Sequence, residues 1–540
     1  MGGGWGRGRG RPGAALLRLL VLGPALLGTT WLAPGAGAAT PEGGAAAPGV
    51  PAAVASLDAL VAQAQRQTGV PGISVAVVFR DEVVYLKGFG VRAVGRPAAV
   101  DPDTVFQIAS VSKPIASTIV SGVIGDGGVA WDDPVIEHDP GFRLADASAT
   151  RAVTLRDLFS HRSGLPEYAG DLLEDIGYDR EAILSRLRFL PLGNRFRATY
   201  NYTNFGLTEA AVAVARTTGM SWEDLAAARL YRPLGMTHTS SRFSDFIAEP
   251  NRASGHVELP GGRWESRYQR TPQEQSPAGG VSSSARDLAQ WVRLQLANGA
   301  YGGRQLVDAA ALAETHRPQM VSNQPRNPFA DRAGFYGLGW NVSYDAFGKI
   351  RLGHSGAFAL GAATAVYLLP AEQVGIVVLT NGAPIGVPES IALAFLDTVQ
   401  TGAPQQDYIP LLGRAFRQLG APTYGTEVDY SRPPAGAAPP LPAAAYAGDY
   451  ANDYFGPLRI EATAAGLVLR LGPHLDPFPL TPFARDTFTY QPVGEQSFGP
   501  AAVTFTIGAD GTGASVLVEN LDLYDNGTFV RVPPAGPPRA

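Results

Sequence analysis

Apolar residues recur along this chain with two different periods, and the switches between them mark out its parts. In "AVASLDALVAQAQRQTG" (53–69) they fall three and four apart, the spacing of a helix with one buried face, and Gly69 supplies a stop. "GISVAVVF" (72–79) and "VVYLKGFGV" (83–91) are instead β-branched and alternating, with Arg80-Asp81-Glu82 between them, which predicts a hairpin. Helical spacing returns in "TLRDLFSH" (154–161), "TNFGLTEAAVAVARTTG" (203–219), "SWEDLAAARLY" (221–231) and "SARDLAQWVRLQLANG" (284–299). In the last of these, Ser284 and Asp287 have the spacing of a capping box. "GKIRLGHSG" (348–356) and "AATAVYLLPAEQVGIVVLTN" (362–381) are strand-like, with a turn at Pro370-Ala371-Glu372, and "PESIALAFLDTVQ" (388–400) is a helix. Helix and hairpin first, many helices in the middle, antiparallel strands and a helix last: this order predicts an antiparallel sheet whose chain ends meet, with a helical insertion.

The pattern changes after residue 401. Residues 402–440 combine one helical piece, "YIPLLGRAFRQLG", with the Pro- and Ala-rich tract "SRPPAGAAPPLPAAA", and read as a linker. Over 441–535 only short strands remain: "PLRIEA", "GLVLRLG", "TFTYQP", "AAVTFTIG", "ASVLVEN" and "TFVRVP", separated by Gly, Asp and Pro. A separate small all-β barrel or sandwich is expected there.

The N-terminus has its own logic. Arg7, Arg9 and Arg11 precede the apolar "AALLRLLVLGPALLGTTWLA", and small residues around Ala36 and Ala38 offer a cleavage site. Residues 1–38 are therefore expected to be a signal peptide and 39–52 a flexible segment, with the protein secreted or held in the periplasm or cell envelope. The alternative is an uncleaved membrane anchor, but Arg18 and Pro24 shorten the usable span, and no stable membrane insertion is expected after cleavage. A length of 540 residues exceeds one ordinary core, so two or more domains are expected, and a chain without cysteine can hold neither a disulfide nor a thiol nucleophile. A net charge of −5 shows no basic excess, and no nucleic-acid partner is expected.

Candidate chemistry centres on "QIASVSKPIAS" (107–117). The chain has three lysines, Lys87, Lys113 and Lys349, and Lys113 stands three residues after Ser110. On a helix that spacing places both side chains on one face, one turn apart. A serine hydroxyl needs a base to become a nucleophile, and a lysine becomes a usable base when burial lowers its pKa. The apolar neighbours Ile108, Ala109, Val111, Pro114 and Ile115 favour burial. "YTN" (202–204) adds a tyrosine able to move a proton between serine and leaving group, and an amide able to hold the lysine or a substrate; taken alone, the same tripeptide is better described as turn residues capping a helix. In "LGHSGAFALGAA", His354 can orient a substrate carboxylate or the tyrosine, Gly356 permits close backbone approach, and the Ala357 N–H can join that of Ser110 in an oxyanion hole.

These motifs, in this order, resemble the serine β-lactamase and penicillin-binding-protein superfamily, in its class C β-lactamase, DD-peptidase and esterase branch. "FQIASVSK", "LRDLFSHRSGLP", "RPLGMTHTS", "SPAGGVSSSARDLAQW", "YGLGWNV" and "GHSG" all look like signatures of that branch, over residues 53–401. The resemblance implies an α/β (α+β) β-lactamase/transpeptidase-like fold, with an antiparallel sheet flanked by helices plus a helical subdomain. The C-terminal β-domain resembles the lipocalin-like barrel appended to many such hydrolases. It also implies that Ser110 is acylated, Lys113 activates it, Tyr202 is the general acid/base and Asn204 positions substrate. His354, Ser355 and Gly356 stand where the family has K-T-G or H-x-G, and Ala357 completes the oxyanion hole. Class C β-lactamases carry Lys where this chain has His354. The implied activity is hydrolysis of a small-molecule or short peptide amide or ester, as by a D-alanyl-D-alanine carboxypeptidase, D-amino-acid peptidase or esterase, with weak class C β-lactamase activity as the alternative.

Two other readings compete. "GHSGA" is a variant of the G-x-S-x-G elbow that would make Ser355 the nucleophile, but that elbow needs a helix to follow, and "AATAVYLLP" is strand-like. A catalytically inactive binding or scaffold protein is the second, against which stands the presence of Ser110, Lys113, Tyr202 and Asn204 together. No cofactor is expected, and no metal: there is no H-E-x-x-H, and histidines 138, 161, 238, 256, 316, 354 and 474 lack ligand spacing.

Overall fold

The computed structural model describes residues 49–193, 195–327, 331–345 and 347–533; the leader expected over 1–38 and residues 39–48 lie outside them. The described chain forms two compact units, one of residues 49–174 and Asp179–Arg417, the other of Asp175–Tyr178 and residues 418–533.

The first unit opens on helix α1 (Val50–Thr68), which starts inside the segment expected to be flexible. Pro51 suits a first turn, and Gly49 lies so close to the backbone of Val399 that a Cβ would overlap it, so packing holds this end in place. Gly69 ends the helix with φ 67°. Strands β1 (Gly72–Phe79) and β2 (Glu82–Gly90) form the expected hairpin, with Arg80 at φ 57° in its turn. The chain then builds a helical region containing α2 (Ser112–Gly125), α3 (Leu155–Phe159), α4 (Asp171–Asp175), α5 (Asn204–Thr217), α6 (Ser276–Gly279) and α7 (Ala285–Leu296). It returns through β3 (Met320–Asn323), β4 (Gly334–Tyr336), β5 (Asn341–Tyr344), β6 (Ile350–Phe358), β7 (Ala362–Leu369) and β8 (Val374–Thr380), and ends on α8 (Val387–Thr401) and α9 (Tyr408–Leu419).

The eight strands make one sheet in the order β2-β1-β8-β7-β6-β5-β4-β3, antiparallel throughout, so the two ends of the domain meet at the β1–β8 pair. Side chains alternate across it. Ile73, Val75, Val77, Tyr367, Ile376 and Val378 point to one face and share a core with Leu57 and Val61 of α1 and Ile391 and Phe395 of α8. α7 covers the other face, where Gly375 makes room for Val292: a Cβ would sit 2.7 Å from its Cγ1. Helix α9, expected in a linker, belongs to the first core: Tyr408, Leu412 and Phe416 are buried in it, and Gly386 has space for only a hydrogen against Leu412.

The capping box expected at the start of α7 is only half made. Ser284 Oγ accepts from the Asp287 N–H at 3.2 Å, but the Asp287 carboxylate turns to the His238 N–H at 2.7 Å and the Thr239 hydroxyl at 2.8 Å. The reciprocal box occurs instead at Thr154 and Asp157 of α3.

The second unit is all-β: β9 (Gly448–Asn452), β10 (Gly456–Thr463), β11 (Gly466–Leu471), β12 (Asp476–Pro479), β13 (Thr481–Ala484), β14 (Thr487–Tyr490), β15 (Ala501–Ile507), β16 (Gly513–Val518) and β17 (Thr528–Arg531). Their order, β12-β11-β10-β9-β17-β16-β15-β14-β13, leaves the chain-adjacent β12 and β13 as the two edges of a nearly closed barrel. Leu458, Ile460, Leu469, Phe505, Val516 and Phe529 fill its interior.

Candidate active site

Ser110 sits on a 3₁₀ turn, Ala109–Val111, that runs directly into α2. Ala109 is held at φ 47°, a conformation costly for a residue with a Cβ, and four hydrogen bonds hold the turn there. The Ile108 N–H donates to Val281 O at 3.0 Å, Thr364 Oγ1 donates to Ile108 O at 2.8 Å, and Ser112 Oγ donates to Ala109 O at 2.6 Å while accepting from the Val281 N–H at 3.0 Å.

One turn into α2, Lys113 is fully buried, and its Nζ has three partners: Ser110 Oγ at 3.0 Å, Asn204 Oδ1 at 2.6 Å and the Ala278 carbonyl at 2.9 Å. Tyr202 Oη donates to Ser110 Oγ at 2.8 Å, and the Lys113 Nζ lies 4.6 Å from the centre of its ring. The S-x-x-K pair and the Y-x-N stretch, 92 positions apart, therefore meet at one oxygen. Burial drives the Lys113 ammonium well below its ordinary pKa, and the Asp171 carboxylate works against that shift. Burial likewise holds the Tyr202 phenol well above its ordinary value, more than its hydrogen bond to Ser110 lowers it, so Tyr202 is a neutral donor rather than a phenolate.

The third motif divides. Strand alternation sends His354 and Gly356 to the face carrying Ser110 and sends Ser355 to the other. A Cβ on Gly356 would overlap the Ile108 carbonyl oxygen and Thr364 Oγ1, so β6 and the turn carrying Ser110 touch at this glycine. Pairing of β5 with β6 ends at Gly353, leaving the segment from His354 to Ala357 beside that turn with β7 on its other side. His354 is buried with both ring nitrogens engaged. Nδ1 lies 2.8 Å from the Ser355 carbonyl, which can only accept, so Nε2, 2.8 Å from Tyr336 Oη, accepts from the phenol. Burial, with help from Lys113, pushes His354 down to about 3, so the ring is neutral and holds Tyr336 rather than Tyr202 or a carboxylate. Ser355 faces α8, bonding Glu389 and Tyr367. It is no wall of this site, and no strand–turn–helix elbow surrounds it: β6 runs on through it to Phe358.

Several residues at the site carry no role in the sequence reading. The Ala278 carbonyl could not be read from a side-chain motif, because any residue supplies one. Asp171 accepts from Asn204 Nδ2 at 2.8 Å. His161 accepts from the Thr203 N–H through Nδ1 at 3.2 Å, takes the Asn201 N–H on its carbonyl at 2.9 Å, and packs its ring 4.5 Å from that of Tyr202. His161 and Tyr336 lie inside the "LRDLFSHRSGLP" and "YGLGWNV" stretches, which is the signal that marks them. Among the described residues no group of His, Asp or Glu could hold a metal ion, and no helix is long and apolar enough to cross a membrane.

The β-lactamase family matches residues 57–397, which contain the whole of this arrangement. The chain belongs to the β-lactamase family. It is a serine hydrolase with a penicillin-binding-protein-like fold. Residues 432–528 match a domain of unknown function, DUF3471, and coincide with the barrel. Among similar proteins, an unguisins hydrolase of Aspergillus violaceofuscus is 28% identical over 75% of this chain and 76% of its own length. Penicillin-binding protein 4 of Amycolatopsis lactamdurans is 30% identical over 65% of this chain and 95% of its own. Esterase EstB of Burkholderia gladioli is 33% identical over 37% of this chain and 53% of its own. The octameric penicillin-binding protein homologue from Pyrococcus abyssi, 20% identical, superposes with a TM-score of 0.57 over 88% of this chain and all of its own, a likeness of fold.

Proposed function

We propose that this hydrolase cleaves a small ester or amide through an acyl-enzyme on Ser110. The observation that carries the reading is the set of acceptors around Lys113. As an ammonium it has three N–H groups for three partners. As a free amine it has two, and the Asn204 and Ala278 carbonyl oxygens, which only accept, take both. The lone pair is then left to Ser110 Oγ. Lys113 takes the serine proton as Oγ bonds the substrate carbonyl carbon, and the Ser110 and Ala357 N–H groups hold the developing oxyanion. Tyr202 gives its proton to the leaving group and recovers one from the Lys113 ammonium below its ring. Water then attacks the acyl group by the reverse path, releasing the acid and restoring Ser110.

His354 bears on the substrate class. Neutral and occupied on both nitrogens, it gives β6 no charge for a carboxylate, which favours an esterase acting on an uncharged substrate over an efficient β-lactamase, while the D-amino-acid or D-alanyl peptidase reading draws its support from the penicillin-binding-protein relative. Relatives named as a hydrolase, a penicillin-binding protein and an esterase support the same range. The exported location expected from residues 1–38 belongs to this proposal, and N-terminal sequencing of protein recovered outside the cytoplasm tests it.

Intact-mass spectrometry after exposure to a labelled penicillin and to a fluorophosphonate tests the chemistry. A stoichiometric adduct on the wild type that disappears in Ser110→Ala is expected. No adduct with either reagent favours the inactive scaffold. A panel of short-chain esters, D-Ala-D-Ala peptides and a chromogenic cephalosporin then ranks substrates, with the cephalosporin expected last.

A further inference from the structure

The amide of Asn204 has two ends of nearly equal size and opposite hydrogen-bonding character. Only one orientation suits the site. With Oδ1 toward Lys113, the amine spends an N–H on Asn204 and keeps its lone pair for Ser110. With Nδ2 there, the amide would donate into that lone pair and remove the base. Nothing in Asn204 itself selects between the two.

We propose that Asp171 is a positioning residue of this hydrolase, fixing the Asn204 side chain with its oxygen toward Lys113. A carboxylate oxygen accepts and never donates, so it takes Asn204 Nδ2, at 2.8 Å, and repels Oδ1. The opposite end of the amide is then committed to Lys113, at 2.6 Å. Asp171 and Asn204 are both largely buried, where water does not compete for either end. The backbone brings Asp171 there deliberately: Gly170 takes φ 100° and lies against Phe205, where a Cβ would meet ring atoms at 2.5 and 2.8 Å. The loop can thus lie on the first turn of α5 and set the first residue of α4 against the first residue of α5.

A carboxylate in this place also acts by charge. The titratable groups that face Lys113 are Tyr202 beside α5, His161 after α3, His354 on β6 and Asp171 at the start of α4. The first three are held neutral by burial, so Asp171 supplies the charge that raises the proton affinity of Lys113. Asp171 is itself faced by Tyr168 and Tyr202, both kept protonated by burial.

The proposal rests on Lys113 acting as the base for Ser110. Its test is the burst of p-nitrophenyl acetate hydrolysis, followed from pH 4 to 9 in wild type, Asp171→Asn and Asp171→Ala, with thermal melts to verify folding. Both variants remove the charge, and Asp171→Asn keeps the size should the alanine fail to fold. The acidic limb of the acylation rate, which reports deprotonation of Lys113, is expected to move down by about one pH unit. In Asp171→Ala the plateau is expected to fall about ten- to a hundredfold as the amide loses its fixed orientation. Loosened packing alone lowers the plateau and leaves the limb in place. A plateau that stays at the wild-type value in folded Asp171→Ala overturns the positioning role, and a limb unmoved in both folded variants overturns the part assigned to charge. A wild type that forms no adduct with a fluorophosphonate overturns the acyl-enzyme reading instead, and the two failures are separate.

Discussion

Gly356 and Ile108 touch so closely that the strand behind the site and the turn carrying Ser110 share one surface. A Cβ on Gly356 would overlap the Ile108 carbonyl oxygen, which already accepts from Thr364 Oγ1 on the neighbouring strand. Ile108 in turn precedes Ala109, whose positive φ aims Ser110. Gly356→Ala is therefore expected to push the turn away from β6 and spoil the geometry of attack. The cost of forcing a methyl into that space is about 1–3 kcal/mol of stability. The acylation rate should fall by about a hundredfold, as expected for a displacement of the order of an ångström. Melting temperature and fluorophosphonate labelling, measured on the same sample, separate the two effects. Labelling at the wild-type rate would show that the contact does not position Ser110.

Ser355 lies one residue from that glycine and faces the other way, bonding Glu389 and Tyr367 beneath α8. Ser355→Ala should keep acylation within about threefold while losing about 1 kcal/mol for the missing hydrogen bonds. Peptide mapping of the labelled protein is the measurement. Label on the peptide containing residue 355, or its loss in Ser355→Ala, would make Ser355 the nucleophile.

The opposed faces of His354 and Ser355 were open to a sequence reading, since both lie in a strand-like run and alternation is a property of strands. The motif His354-Ser355-Gly356 nevertheless spans both faces of its strand. Other features were not open. Asp171 and Asn204 are 33 positions apart, and no local period links them; only the folding of Gly170 onto Phe205 brings them together. The positive φ of Ala109 has no trace in an alanine. In the barrel, "DPFP" and "TPFA" are not among the six strands marked in the sequence, since proline weakens a strand pattern, yet both are edge strands, where a missing N–H costs least. "YIPLLGRAFRQLG" was legible as a helix, but its place in the core depended on Gly386 admitting Leu412, a contact with no sequence pattern. What was legible was what repeats, the amphipathic helices and the alternating strands, together with the S-x-x-K and Y-x-N motifs, whose side chains meet in the fold.

His354 stands where class C β-lactamases carry lysine, yet it does not supply a titrating cation. With burial and Lys113 holding it down to about 3, the ring stays neutral across pH 4 to 9. Replacing it removes no charge from the surroundings of Lys113. His354→Gln is expected to leave the acidic limb of acylation where the wild type has it. Its plateau should change only modestly, because the glutamine carbonyl oxygen can accept from Tyr336 Oη in place of the ring nitrogen at 2.8 Å. The pH dependence of kcat/KM on a p-nitrophenyl ester decides the matter: a limb displaced in His354→Gln would mean that His354 carries a charge in the working range.

Glu389, beneath the site strand, gives the protein a pH dependence of stability rather than of chemistry. Burial raises its carboxyl from 4.5 to about 7, against the hydrogen bonds of its own backbone N–H and of Ser355. Between those two values the folded chain holds a proton that the unfolded chain has lost, so this group makes stability fall as pH rises. The fall begins near 4.5, is complete above about 7, and amounts to something on the order of 3 kcal/mol. Glutamine has nearly the same shape, keeps an oxygen for Ser355 and does not titrate. Glu389→Gln should thus match the wild type near pH 4.5 and become progressively more stable than it toward pH 7, with the gap constant above. Paired denaturant titrations at pH 4.5, 6 and 8 measure that gap directly. A gap that shrinks as pH rises would mean that Glu389 is ionised and stabilising in the folded state, and that Ser355 and Tyr367 together satisfy its charge.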